Sequence, residues 1–407
     1  MTSSVSSNET KKLDIDAFFS GVGGIELGFE QTGEFRVVYA NEFDKNARTT
    51  YSENFPEINL DGRDIHQVNP KDIPSADVIM GGFPCQAFSI AGYRKGFEDQ
   101  RGDLFFELLK MIKSKSPKIV FIENVKNLVT HDHGNTFKVI REALEMNGYL
   151  LKWKVLNGKD FGNIPQNRER IYLIGFKNKK VYDSFEFPSA IPLTTTIHEI
   201  IDFKNEKDER YYYREGKQPF FNKMRPEIKS QDTVYQWRRQ YVRENKAGVI
   251  PTLTANMGTG GHNVPLILTD SKEIRKLTPK ETFNAQGYPK SFKLPKIANG
   301  QLYKQAGNSV VVPVIRRIAS QIISALKNDT TDTIPNFSPI TIKRYALILS
   351  NISGRFEGSS FVERSSDSYD DLYNYAKKSS IQLLTDEEYL KLVQKNRSMK
   401  FYMIEES

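Results

Sequence analysis

The chain holds one cysteine, Cys85, and it sits in Gly81-Gly82-Phe83-Pro84-Cys85-Gln86-Ala87-Phe88-Ser89. A Gly-Gly pair and a proline make a stiff loop after a strand, which is a place for chemistry more than for packing. A thiol becomes a nucleophile only when its pKa is lowered or a base stands beside it. No histidine neighbours Cys85 in the sequence. A protease-like Cys–His pair is therefore not expected, and the thiol must attack a carbon that is already activated. Glu123-Asn124-Val125 offers the activation: a protonated Glu can donate to a ring nitrogen of a bound base and open that ring to thiolate addition. Gln166-Asn167-Arg168-Glu169-Arg170 adds fixed positive charge for a carbonyl oxygen or for phosphates. Taken alone, that arginine pair reads as a surface salt bridge with Glu169.

A second group of residues suits a ligand. Phe19-Ser20-Gly21-Val22-Gly23-Gly24 follows a strand and precedes a helix pattern, and its glycines permit a tight turn and close approach to the backbone. The dinucleotide fingerprint is absent, because Glu26 stands where the third glycine should be and would repel a pyrophosphate. Glu42 follows about twenty residues on, where an acid commonly grips a ribose diol. Asp64 could accept hydrogen bonds from an adenine amino group. Glycine loop plus ribose acid points to a nucleoside cofactor without phosphate, such as S-adenosylmethionine.

The elements that must carry these residues are short apolar runs alternating with amphipathic helices. Strands are expected at Ile15–Phe19, Val37–Asn41, Val78–Gly81, Ile119–Ile122 and Ile171–Phe176, and the alternation favours a parallel sheet covered by helices. Leu104, Phe105, Leu108, Leu109 and Ile112 recur at helical spacing, as do Phe137, Ile140 and Leu144 before Gly148. From Ser189 to Thr269 long polar stretches replace the alternation and suggest an inserted, loop-rich module. Helical periodicity returns at Thr278–Ala285 and at Val311–Leu326, where Val312, Ile315, Ile318, Ala319, Ile322 and Ile323 share one face. Asn328–Ser338 reads as a linker. The final segment shows one strand-like run, Tyr345–Leu349, and helices near Asp370–Lys378 and Asp386–Lys395.

At 407 residues, 38% hydrophobic and 27% charged, this is an ordinary globular composition with room for two or three domains. One cysteine excludes an intramolecular disulfide framework and a multi-cysteine zinc site, and no metal is expected. No apolar run approaches membrane-spanning length and Met1–Lys12 lacks an apolar signal core, so a cytoplasmic protein with no membrane partner is expected. The net charge of +8 suits a polyanionic partner without requiring one.

Together these residues resemble the DNA (cytosine-5)-methyltransferase family of the bacterial type II restriction-modification kind, over about Leu13–Leu326. The family's motifs appear in its order: the Phe19–Gly24 loop, Glu42, Asp64, Pro84-Cys85-Gln86, Arg101-Gly102-Asp103-Leu104-Phe105, Glu123-Asn124-Val125 and Gln166–Arg170. Arg275-Lys276-Leu277-Thr278-Pro279, Gln286-Gly287-Tyr288-Pro289 and Lys304-Gln305-Ala306-Gly307-Asn308-Ser309-Val310 follow. One departure is visible: Ala17-Phe18-Phe19 stands where the family has Asp-Leu-Phe, with Asp16 one place early.

The resemblance implies an α/β, Rossmann-like S-adenosylmethionine-dependent methyltransferase fold, a mostly parallel sheet with helices on both faces, plus a small target-recognition domain. It divides the chain into a tail (1–12), a first catalytic part (13–188), a target-recognition domain (189–270), a returning catalytic part (271–327) and an extension without a counterpart (328–407). Cys85 would add to C6 of a cytosine while Glu123 holds N3, and Arg170, with Arg168 and Gln166, would hold the base's O2 and steady the loop. Phe19 would stack on the cofactor's adenine, Glu42 would bind its ribose, and Asp64 and Ile65 would meet the adenine edge. Gly21, Gly23 and Gly24 form its loop, and Pro84, Leu104, Asn308 and Val310 would complete the pocket. Addition at C6 needs the base swung out of the duplex, with Ala91–Arg101 as a loop able to close on it. Double-stranded DNA would be met by Gln86, Ser89, Gln166, Arg238, Arg239, Arg243 and Thr252, with the arginine-aromatic run Tyr235–Arg243 reading sequence. A monomer acting on the same site as a cognate restriction endonuclease is expected. Two other readings compete: tRNA cytosine-5 methylation, against which the long insert speaks, and a non-catalytic DNA-binding regulator, against which intact Cys85, Glu123 and Arg170 speak.

Overall fold

A computed structural model describes residues 12–84, 104–238, 240–245, 248–258, 264–328, 345–351, 359–366, 373–374, 377 and 400–406. Cys85, Gln86, Ser89, Arg239, the 91–101 loop, the 328–338 linker beyond Asn328 and most of both C-terminal helix candidates lie outside them.

The first strands are β1 (Leu13–Phe18), β2 (Phe35–Asn41), β3 (Leu60–Asp61), β4 (Val78–Gly81), β5 (Ile119–Val125) and β6 (Leu150–Asn157). A two-residue strand β7 (Gln166–Asn167) precedes β8 (Glu169–Phe176). The main sheet runs β6-β8-β5-β4-β1-β2-β3, with β3, β2, β1, β4 and β5 mutually parallel and β8 antiparallel to both its neighbours. All five expected strands are present. The sequence reading missed β6, whose Leu-Leu-Lys-Trp-Lys-Val pattern carries lysines in place of a continuous apolar run.

Burial on both faces explains why β4 and β5 read as nearly unbroken apolar runs. Ile15 and Ala17 of β1 pack on one face with Val310, Val314, Ile315, Ile318 and Ile322, from and just before helix Val312–Lys327. Phe18 faces the opposite layer with Phe105, Leu108 and Ile112 of helix Leu104–Lys115 and Ile140 and Leu144 of helix Asn135–Glu145. The span Asn299–Lys327 has the length and hydropathy of a membrane-crossing helix, but two helices form it, Asn299–Asn308 and Val312–Lys327, and 61% of its most apolar 18-residue stretch is buried inside the fold. It is a core element.

A second sheet has the order β10-β9-β12-β13, from β9 (Tyr235–Trp237), β10 (Val242–Glu244), β12 (Leu266–Leu268) and β13 (Ile274–Lys276). It covers a small core of its own, including Met224, Ile228, Trp237 and Leu266, and runs past residue 270, where the recognition domain was expected to end. Strand β11 (Ile250–Pro251) leaves this module and pairs in parallel with β7. Beyond the linker, β14 (Tyr345–Asn351), β15 (Ser359–Ser366) and β16 (Lys400–Glu406) extend the main sheet, β15 pairing with β6. Of these three strands only β14 had a sequence signal.

Asp16, in the middle of β1, is fully buried and neither carboxylate oxygen has a hydrogen-bond partner. Burial pushes its pKa up to about 7; Lys115 opposes this and Asp14 adds to it. The fold therefore favours the neutral acid. Its contribution is fully present below about pH 4, where the unfolded chain is protonated too, and is lost as pH rises through the folded pKa near 7. Each tenfold change in proton affinity is worth about 1.4 kcal/mol, so the shift to about 7 is worth about 4 kcal/mol, and Asp16→Asn is expected to gain up to about that much at pH 8 and little at pH 4. Urea midpoints of both proteins across that range check this. Parallel pH profiles would refute it.

Candidate active site

The loops that leave the parallel strands at their carboxyl ends meet around one cavity of about 770 Å³. Its walls bring together segments 19–22, 24–25, 41–44, 64–65, 82–84, 123–125 and 307–310, with Leu104, Arg170 and Thr252–Ala255. Open α/β sheets gather ligands at this edge because every parallel strand delivers its following loop there.

One end of the cavity holds the glycine loop, Glu42 and Asp64. The Gly21 amide donates to Glu42 Oε2 at 2.7 Å and the Asp44 amide to Glu42 Oε1 at 2.6 Å. An amide that would cradle a phosphate is thus already occupied by a carboxylate. Burial raises the Glu42 pKa, and the two amides work against that rise. Glu26, which the sequence suggested would repel phosphate, is only 1% exposed and does not line the cavity; burial holds its pKa near 7. Phe19 is held at a φ of 55°, unusual for a residue with a side chain, and its ring meets Phe83 edge-on at 6.5 Å. Asp64 accepts from the His66 amide at 3.0 Å and contacts the His66 ring at 2.5 Å, and these bonds, the amide first, keep its carboxyl below the usual range. Gly24 has no room for a Cβ, which would stand 2.4 Å from the Tyr288 hydroxyl and 2.7 Å from Ser309 Oγ. Those two hydroxyls, bonded to each other, tie the returning part of the chain to the glycine loop.

The other end holds Glu123 and Arg170. Glu123 is buried, and Arg170 Nε stands 3.1 Å from its Oε1. Burial raises the Glu123 pKa, with Arg170 and then Arg168 pulling it back. Beside it, Asn124 Nδ2 donates to the Phe83 carbonyl at 2.8 Å. That bond fixes the chain two residues before Cys85, and Pro84 lines the cavity.

Most of the described residues chosen from sequence converge here: Phe19, Gly21, Gly24, Glu42, Asp64, Ile65, Pro84, Leu104, Glu123, Arg170, Thr252, Asn308 and Val310 all line the cavity. Gly23 does not. Arg168 and Gln166 correct the expectation that they touch the base. Arg168 is 2% exposed, with its guanidinium on the carbonyls of Leu253, Gly307 and Ser309. Gln166 is fully buried, with its amide on the Ala285 carbonyl at 2.6 Å. In the second sheet Tyr235 and Trp237 are core residues, Trp237 stacking on Phe220 at 4.8 Å, so these two aromatics do not face solvent, whereas Tyr241 of the same run is exposed. Arg238 and Arg243 are exposed.

Sequence reasoning overlooked Phe43, a 68% exposed aromatic ring at the cavity wall. Its position directly after Glu42 was the available signal. It also overlooked the Lys304–Asp44 ion pair at 2.6 Å across that wall, which no local pattern announces.

A family model described as "C-5 cytosine-specific DNA methylase" matches residues 13–324. Type II methyltransferase M.Bsp6I of Bacillus sp. (strain RFL6) is 60% identical over 316 residues, 77% of this chain and 99% of that protein. Type II methyltransferase M.HhaI of Haemophilus parahaemolyticus is 40% identical over 321 residues, covering 76% and 93%. In fold, the chain is similar to a Spodoptera frugiperda DNMT2 mutant, with a TM-score of 0.59 at 20% identity over 77% of this chain and all of that one. It is also similar to a putative DNA modification methyltransferase of an E. coli prophage, with a TM-score of 0.56 at 22% identity over 78% of this chain and all of that one.

Proposed function

The chain belongs to the C-5 cytosine-specific DNA methylase family and methylates C5 of cytosine in DNA; we propose that Cys85 is its nucleophile, Glu123 its acid and S-adenosylmethionine its methyl donor. The carrying observation is the buried Glu123–Arg170 pair, whose cavity is shared with Pro84 on one side and with the Glu42 cradle on the other.

The cavity fits that donor. Glu42 offers carboxylate oxygens to a ribose diol, Asp64 an acceptor to an adenine amino group, and Phe19 and Phe43 apolar rings, while the Gly21 amide is closed to phosphate. Bound there, the donor supplies an electrophilic methyl group on a sulfonium. The chain's own residues prepare the base. Arg170 holds the cytosine O2 and the protonated Glu123 donates to N3, so the ring loses electron density and the Cys85 thiolate adds at C6. C5 then carries enamine character and can be alkylated. Loss of the C5 proton and expulsion of Cys85 restore the aromatic ring. Attack on the ring face requires an extruded base, and the second sheet, with Arg238 and Arg243 exposed, is assigned to holding the duplex.

The DNA (cytosine-5-)-methyltransferase reaction on double-stranded DNA, carried out by a cytoplasmic monomer alongside a cognate restriction endonuclease, completes the reading. Base-resolution sequencing of 5-methylcytosine in DNA from an expressing host without cytosine methylation of its own tests it. One short recurrent sequence methylated at one cytosine is expected; methylation confined to tRNA, or none above a vector control, would overturn it.

A further inference from the structure

Burying a guanidinium costs several kcal/mol unless its donors are satisfied. Arg168 places both terminal nitrogens on main-chain oxygens, Nη1 on the Leu253 carbonyl at 2.7 Å and Nη2 on the carbonyls of Gly307, at 2.9 Å, and Ser309, while its Nε has no partner. Burial, with the like charge of Arg170 next, lowers its pKa to about 9. A plain wall would need only an apolar side chain. A cation fixed on carbonyls of two distant segments acts as a joint between them.

Both segments line the cavity. The first arrives from the recognition module: Ile250 and Pro251 pair with Gln166 and Asn167, the Thr252 hydroxyl donates to the Asn167 carbonyl at 2.5 Å, and Leu253 reaches Arg168. The second is the end of helix Asn299–Asn308 and the Ser309-Val310 turn, on the cofactor side. The two touch directly, because a Cβ on Gly307 would stand 2.2 Å from the Thr254 carbonyl carbon. Two residues further along the chain, at the start of β8, Arg170 holds Glu123.

We propose that Arg168 is a positioning residue that couples DNA engagement to the cofactor pocket, by fixing the segment that leaves the recognition module, Thr252–Thr254, to the pocket wall at Gly307–Val310. This rests on the function proposed above and adds to it a route by which one ligand feels the other. Coupling between two sites is reciprocal, so DNA held at Thr252 tightens the cofactor site and the cofactor tightens the hold on DNA.

The test uses the full chain, S-adenosylhomocysteine as a non-reacting probe, and sheared unmethylated genomic DNA. Calorimetric Kd values for the probe are measured without DNA and at saturating DNA. The native protein is expected to bind the probe about tenfold more tightly with DNA, within the usual range for coupled sites. Arg168→Met is expected to bring that ratio below about twofold. Arg168→Lys keeps the buried charge but reaches fewer of the carbonyls, and it should restore part of the ratio. Gly307→Ala, which leaves the guanidinium in place and forces the two segments apart, should lose the ratio as well and serves where the Met variant does not fold. A role limited to stability would lower the melting temperature and weaken probe binding equally with and without DNA, leaving the ratio intact; that result overturns the proposal, as does a native ratio of one in a protein that methylates the same DNA. No methyl incorporation at all would overturn the underlying function instead.

Discussion

Cys85→Ser is expected to reduce methyl transfer by at least about 10⁴-fold, as loss of a covalent nucleophile commonly does, while cofactor affinity stays within about twofold. The asymmetry follows from the division of labour in the cavity. Glu42, Asp64, Phe19 and the glycine loop line the end proposed for the nucleoside, whereas the Phe83-Pro84 segment that leads to Cys85 borders the end that holds Glu123 and Arg170. A serine hydroxyl is far less acidic than a thiol and has no base beside it in the sequence, so it cannot add to C6 at neutral pH. Methyl incorporation from labelled donor and calorimetric titration of S-adenosylhomocysteine measure the two quantities separately. Full activity in Cys85→Ala would refute covalent catalysis by this residue, and parallel loss of turnover and binding would move Cys85 out of the role given to it.

Glu123→Gln is expected to lower the rate by about 10²- to 10³-fold, in the range general acid catalysis supplies. Glutamine keeps the size and a hydrogen-bond donor, but its amide is too weak an acid to stabilise electron withdrawal at N3. The pH profile separates this from loss of shape. Burial raises the Glu123 pKa, so the protonated form persists to higher pH than in water and is lost as pH rises through the folded value. Activity of the native protein should therefore fall on the alkaline side as Glu123 ionises. A glutamine amide does not ionise in this range, so the alkaline fall should be absent from the variant's residual activity. An unchanged alkaline limb in Glu123→Gln would show that another group governs it.

The order of the motifs, and with it much of the cavity, was legible before any coordinates. Short apolar strands followed at once by Gly21, Glu42, Pro84 and Glu123 can be recognised one at a time, because each pairs a local strand signal with the residues directly after it. Parallel strands then bring those residues to one edge without further information. Helix Val312–Lys327 was legible for the same reason, its apolar face repeating at helical spacing.

Which way side chains turn once distant segments cover them was settled only by folding. Gln166, Arg168 and Arg170 form a single polar run in the sequence, yet only Arg170 reaches the cavity. Main-chain carbonyls 85 and 139 residues away in sequence enclose Arg168, and no local pattern encodes their arrival. Glu26 turned out to be buried, and Tyr235 and Trp237 to be core residues, for the same reason. The pairing of β15 with β6 and the contact of Thr254 with Gly307 likewise depend on surfaces that exist only after the chain has folded.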